Sequence, residues 1–131
     1  KLGEISLTEF IENKKIPNDI LLKIVIPKTN KIGYFYKVQK SRLDFAVVNV
    51  AITKGETIDI AVGARPSLVK FAVEAMAFVN GAKEVTEEVI LETAEIAGKE
   101  LKFGTNSKAS ESYRRNIAMA YIKRGLREVT L

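Results

Sequence analysis

The chain reads as an α+β fold, an antiparallel sheet of about four strands with a layer of about three helices on one face. Two patterns predict this. Apolar residues recur at about every second position as far as Val62, and after Pro66 their period changes to about 3.6, so strands come in succession and helices follow in succession. The length adds a third observation. At 131 residues with 47% hydrophobic content, the chain suits one buried core, and residues 1–131 are expected to form a single domain.

The elements follow in chain order. Ser6-Leu-Thr-Glu9 has capping-box spacing, in which serine and glutamate reciprocally satisfy free amides, and it predicts a short helix over about Leu7 to Asn13. Ile20 to Ile26 is apolar and rich in β-branched residues apart from Lys23. Pro27, which has no N–H to give a ladder, ends it, so a strand is predicted there. A polar turn at residues 28–31 leads to a second strand, Ile32 to Gln39.

Arg42 to Thr53 is the third predicted strand. Ala46, Val48, Val50 and Ile52 lie on one side and Phe45, Val47, Asn49 and Ala51 on the other, so it belongs in the sheet's interior. Lys54-Gly55-Glu56 makes a hairpin-like connection to Thr57–Val62, where Ile58, Ile60 and Val62 alternate with Thr57, Asp59 and Ala61, the face nearer water. Ser67 is placed to cap a helix through about Val79. With Val69, Ala72, Val73, Met76 and Ala77 in one stripe and Leu68, Phe71, Ala75 and Phe78 filling much of the rest, that helix is expected to be heavily buried. Asn80-Gly81 stops it. Thr86 to Leu101 carries Val89, Ile90, Ala94 and Ala97 at helical spacing. A last helix from near Ser110 buries Ala118, Tyr121, Ile122, Gly125 and Leu126.

Composition removes several chemistries. With no cysteine and no histidine there is no thiolate or imidazole metal site, no disulfide and no Ser-His-Asp triad. The net charge of +5 comes from 21 basic and 16 acidic side chains spread along the chain, so a polyanion groove is weakly indicated. No apolar run approaches the roughly 20 residues that cross a bilayer, and the start lacks a secretion signal, so a cytoplasmic location is expected. The first residue is not Met, which fits a fragment or processed chain.

Three groups of residues stand out. Lys37, Arg42 and Asp44 could orient an anionic or polar ligand, with the carboxylate directing the guanidinium fork, or could form an ordinary ion pair at a strand end. In Gly63-Ala64-Arg65-Pro66, glycine would permit a positive φ or close approach to a ligand, and a plain strand-to-helix turn explains it equally well. Tyr113-Arg114-Arg115 puts cations at a helix start against the macrodipole, which calls for an acidic partner such as Glu111, a sheet carboxylate or another domain. A structural role is the favoured reading there.

In order along the chain, Ile24-Val-Ile-Pro27, Tyr36 to Ala46, Ala61-Val-Gly63-Ala-Arg65-Pro66 and Ser112-Tyr113-Arg114-Arg115 resemble the C-terminal domain of the FAD-binding (medium) subunit of molybdenum hydroxylases. That family includes the flavoproteins of carbon monoxide dehydrogenase and xanthine dehydrogenase. The resemblance implies that Lys37, Arg42 and Asp44 lie towards the flavin side, with Leu43 where many relatives carry a second basic residue. It also implies that Gly63, Ala64 and Arg65 run beside the isoalloxazine.

FAD would belong to the intact subunit, its phosphates held by loops of preceding domains, and molybdopterin and 2Fe-2S clusters to partner subunits. The implied partners are the N-terminal FAD-binding domain of the same subunit, a molybdenum-binding large subunit and an iron-sulfur small subunit. Neither a membrane nor nucleic acid is implied. No catalytic side chain or metal ligand is assigned, and the isolated chain is expected to have no turnover and to bind FAD poorly.

The rival reading is a free-standing α+β interaction module binding an acidic protein or nucleic acid, with Tyr34, Phe35 and Tyr36 as stacking groups. A small hydrolase using Asp59 and Glu74 has no motif behind it.

Overall fold

Strands β1 (Ile32–Val38), β2 (Val48–Lys54), β3 (Ile58–Gly63) and the two-residue β4 (Lys70–Phe71) pair antiparallel in the order β1-β2-β3-β4. This is a computed structural model, which describes residues 3–12 and 20–130. Three helices follow, α2 (Val73–Gly81), α3 (Glu87–Glu100) and α4 (Glu111–Thr130), and a short α1 (Leu7–Glu12) precedes the sheet. The expected α+β architecture is therefore the observed one.

The register explains the two faces of the sheet. Tyr34, Ile52 and Ile60 share one row and Val50 and Val62 another, and all are buried under the helices. Helix α4 lies over β2 and β1, α2 lies over β3, and α3 packs against both helices. Helix α4 approaches the sheet closely at Gly125. A Cβ there would sit 2.4 Å from the Tyr34 ring and 2.8 Å from Ile52 Cδ1, so only glycine lets this helix reach the sheet. Thr86 caps α3 by accepting from the Val89 amide, and the Ser110 hydroxyl accepts from the Tyr113 amide at the start of α4.

Four expectations are corrected. Ile20 to Ile26 is not a strand in a sheet. It runs extended and exposed without a ladder, because β-propensity expresses fit to a pleated, half-buried surface, and α4, lying on β2 and β1, gives no cover to a further strand beyond β1. The interior strand expected over Arg42 to Thr53 begins at Val48 rather than Arg42. Asp44 turns the chain instead, its amide donating to Ser41 O and its carboxylate accepting from the Phe45 amide at 2.7 Å, which leaves Phe45 81% exposed.

Ser67 does not cap a helix. The ladder to β3 takes Lys70 and Phe71, the Ala72 amide donates to Ile60 O, and α2 starts only at Val73. Consequently Phe71, Val73 and Phe78 are exposed, and only Ala72, Ala75 and Val79 of this stretch are fully buried. Finally, the positive φ in the β3 exit is carried by Ala64, at 55°, and not by Gly63. Of the predicted first helix, Asn13 lies outside the described residues. Ser6 accepts from the Glu9 amide at 3.1 Å, as the capping spacing requires.

Candidate functional site

The face of the sheet turned away from the helices is built by the alternate residues of each strand. Register places Phe35, Ala51, Ala61 and Phe71 in one row across all four strands. Because adjacent strands are about 4.8 Å apart, the two phenylalanines stand roughly 14 Å apart over a floor of alanine methyl groups. Both rings are substantially exposed, Phe35 at 64% and Phe71 at 50%. The result is a shallow trough with aromatic walls, wide enough for a fused-ring heterocycle to lie flat.

The neighbouring rows differ in polarity. On one side Gly33, Thr53 and Asp59 align, and their polar groups are matched: Lys31 Nζ pairs with Asp59 Oδ2 at 2.8 Å and Thr53 donates to the same oxygen at 3.2 Å. On the other side Lys37, Asn49 and Gly63 align. Lys37 is exposed and, among the described residues, has no ion-pair partner. Asn49 Oδ1 is shielded from solvent and has no hydrogen-bond partner. A cation and an orphaned amide oxygen thus border one edge of the trough, a combination that favours a ligand with both acceptor and donor groups along one side.

The residues singled out in the sequence do not all converge there. Lys37 and Gly63 share the row just described, and Ala64 follows at its end. Arg42 is exposed on the turn after β1, where its carbonyl accepts from Gln39 Nε2 at 3.1 Å. Asp44 does not direct Arg42. Its carboxylate pairs with Lys108, whose ammonium and the Phe45 amide hold the carboxyl below its ordinary value. Lys108 also lies over the Phe45 ring, 5.7 Å from its centroid, so it staples this turn to the loop before α4. Beside it is a cavity of about 450 Å³ lined by Val38, Gln39, Lys40, Val47, Lys108 and Tyr113, among others.

Arg65 is only 2% exposed and turns inward, donating to Lys102 O and, at 2.8 Å, to Leu68 O. Burial pushes its guanidinium below the usual value, yet arginine stays charged, and its work is to fold the 64–69 loop against residue 102. Arg114 is likewise internal. It donates to Val47 O, to Ala64 O at 3.0 Å and to Asn106 Oδ1, so its acceptors are two carbonyls and an amide rather than a carboxylate. Arg115 does meet Glu111, one helical turn back. Tyr34, Phe35 and Tyr36 form no common stacking platform. Tyr34 is buried and Tyr36 stacks on Tyr121 of α4 with centroids 4.0 Å apart, leaving Phe35 alone on the open face.

Asn49 and Phe71 do not stand out in the sequence as site residues, and Phe35 does so only as a stacking group of the rival reading. Phe35 and Asn49 were visible as members of alternating strands. Phe71 read as helix because its two-residue ladder is too short to leave a periodic signal.

The sequence model of the family described as "CO dehydrogenase flavoprotein C-terminal domain" matches residues 33–129. Among solved structures, quinoline 2-oxidoreductase from Pseudomonas putida 86 superposes with a TM-score of 0.70 at 23% identity, covering 80% of this chain and 39% of that one. The reconstituted CO dehydrogenase from Oligotropha carboxidovorans gives 0.69 at 16% identity over 82% of this chain and 39% of its own. A carbon monoxide dehydrogenase from Hydrogenophaga pseudoflava that lacks the Mo-pyranopterin moiety of the molybdenum cofactor gives 0.66 at 21% identity, covering 78% of this chain and 37% of that one. At these identities the superpositions establish the shared fold. The chain spans less than two fifths of the length of these structural relatives. No curated protein matches it.

Proposed function

From the premise that the chain belongs to the CO dehydrogenase flavoprotein C-terminal domain family, we propose that its open sheet face walls the flavin site of an FAD-containing oxidoreductase subunit. The observation that carries this reading is the trough of Phe35, Ala51, Ala61 and Phe71 with Lys37 and the orphaned Asn49 oxygen along one edge. An isoalloxazine has the matching form, a flat apolar ring system with carbonyl and imide groups on one ring.

When bound, the flavin supplies the redox chemistry, and this chain's residues position and tune it. Phe35 and Phe71 bound the ring laterally and exclude water from it. Lys37 offers an ammonium to an edge that gains negative charge on reduction, and Asn49 accepts from a ring N–H. Ala64, held at positive φ by the Arg114 bond to its carbonyl, fixes the path of the chain where it leaves this face. Arg42 and Asp44 shape the adjoining turn, and Arg65 holds the 64–69 loop.

In the intact protein the domain docks on an N-terminal FAD-binding domain that grips the cofactor phosphates, and the subunit joins a molybdenum-binding large subunit and an iron-sulfur small subunit in cytoplasmic electron transfer to FAD. Among the described residues no helix is long and apolar enough to cross a membrane.

The test uses the intact FAD-loaded subunit with Lys37→Met. Removing the cation is expected to lower the flavin midpoint potential and to move its absorption bands while FAD content stays near one per subunit. Bands and potential identical to the unaltered subunit would place Lys37 away from the ring and overturn the reading.

A further inference from the structure

We propose that Tyr36 and Tyr121 form an oxidative cross-linking site, at which a one-electron oxidant joins the two rings by a carbon–carbon bond and ties β1 to α4. The rings stack with centroids 4.0 Å apart and planes 14° from parallel. Hydrogen bonding with the Tyr36 hydroxyl, ahead of burial, pushes the Tyr121 phenol up to about 12, so the two hydroxyls sit at the same end of the stack. That arrangement sets the ring carbons ortho to each hydroxyl opposite one another. Those carbons share the unpaired electron when a phenol becomes a phenoxyl radical.

Composition and surroundings direct oxidation to this pair. The chain has no cysteine, tryptophan or histidine, which leaves its four tyrosines as the side chains most readily oxidised by one electron. Tyr36 is 39% exposed, so an oxidant in solution reaches it and its proton leaves to water. Tyr34 on the same strand is 7% exposed, and its hydroxyl is shielded without a hydrogen-bond partner, so nothing there takes its proton. Arg124 brings positive charge near Tyr34 and Tyr121, which opposes a protonated cation radical and favours proton loss. Tyr113, half exposed, has no ring stacked on it among the described residues.

Each ring gives up one electron and one proton, and the two radicals couple between their ortho carbons. The hydrogens on the joined carbons then move to the oxygens, which restores both phenols. Hydrogen peroxide, acting through a peroxidase, takes up the two electrons and two protons and leaves as two waters.

The test treats this chain, whose described core lies between Tyr34 and Val129, with peroxidase and hydrogen peroxide. The expected product is a monomer two hydrogens lighter, with biphenol fluorescence that single tyrosines lack and a linked peptide pair containing Tyr36 and Tyr121. Its urea midpoint is expected to rise, because the new bond closes a loop that persists in the unfolded chain. Tyr36→Phe and Tyr121→Phe are each expected to abolish the fluorescence and the mass loss while keeping the circular dichroism, since the stacked ring remains. Tyr113→Phe is expected to leave both signals as they are. A link that maps to Tyr34 or Tyr113, covalent dimers in place of the lighter monomer, or a treated monomer that keeps its mass or gains oxygen overturns the proposal.

Discussion

Arg114 carries a permanent charge into a position 1% exposed, and it is held there by oxygens from three separate segments, Val47, Ala64 and Asn106. Each hydrogen bond to such a charge contributes about 1.5 to 3 kcal/mol, and each acceptor left bare in the interior costs a similar amount. A lysine keeps the charge but has a single ammonium where the guanidinium offers a two-pronged fork. Arg114→Lys is therefore expected to lose about 3 kcal/mol, read as a lower urea midpoint with unchanged slope. A midpoint within error of the unaltered chain would show that the fork contributes little. The sequence revealed the cation and its place at the start of a helix. That its partners would be carbonyls was hidden, since a main-chain oxygen has no residue type. The same applies to Ala64, whose φ of 55° follows from the path between β3 and Arg65 and left no glycine to mark it.

At the scale of elements, α2 shows how a helix start can be satisfied from far along the chain. Its N-cap residue, Ala72, has no side chain to offer, and the free amides of Glu74 and Ala75 donate instead to Glu100 Oε2 at 2.9 Å and Oε1 at 3.0 Å from the end of α3. A carboxylate there also complements the positive end of the helix. Glu100→Ala is expected to cost about 1 to 2 kcal/mol in thermal unfolding and to speed exchange of those two amides. Unchanged exchange at both would sink the assignment. Helices α3 and α4 were legible because Thr86 and Ser110 are local caps that precede apolar stripes. The start of α2 is not legible at Ser67 because the sequence displays a local hydroxyl, whereas the carboxylate that satisfies the helix start, Glu100, is delivered only by packing.

For the molecule as a whole, the described core runs from Tyr34 to Val129 and, among the described residues, takes nothing from 3–12 or 20–30. Removing residues 1–29 is therefore expected to leave the urea midpoint unchanged within about 0.5 kcal/mol, the usual range for changes away from the core. A large loss would mean that the arm supports the sheet. Lys31, which pairs with Asp59, is kept in this variant. The α+β class, the interior place of β2 and the helical layer were all determined by the sequence, because alternation and the helical period record which side of each element meets apolar surroundings. The tertiary structure alone decided where those surroundings end. Among the described residues it left Leu21–Ile26 without a strand partner, and it drew Lys70 and Phe71 into the ladder, turned Arg65 and Arg114 inward, and brought Phe35, Lys37, Asn49 and Phe71 onto one face. The physical reason is that a residue's pattern states its preference for burial, whereas the partner that grants or denies it comes from strands and helices distant in the chain.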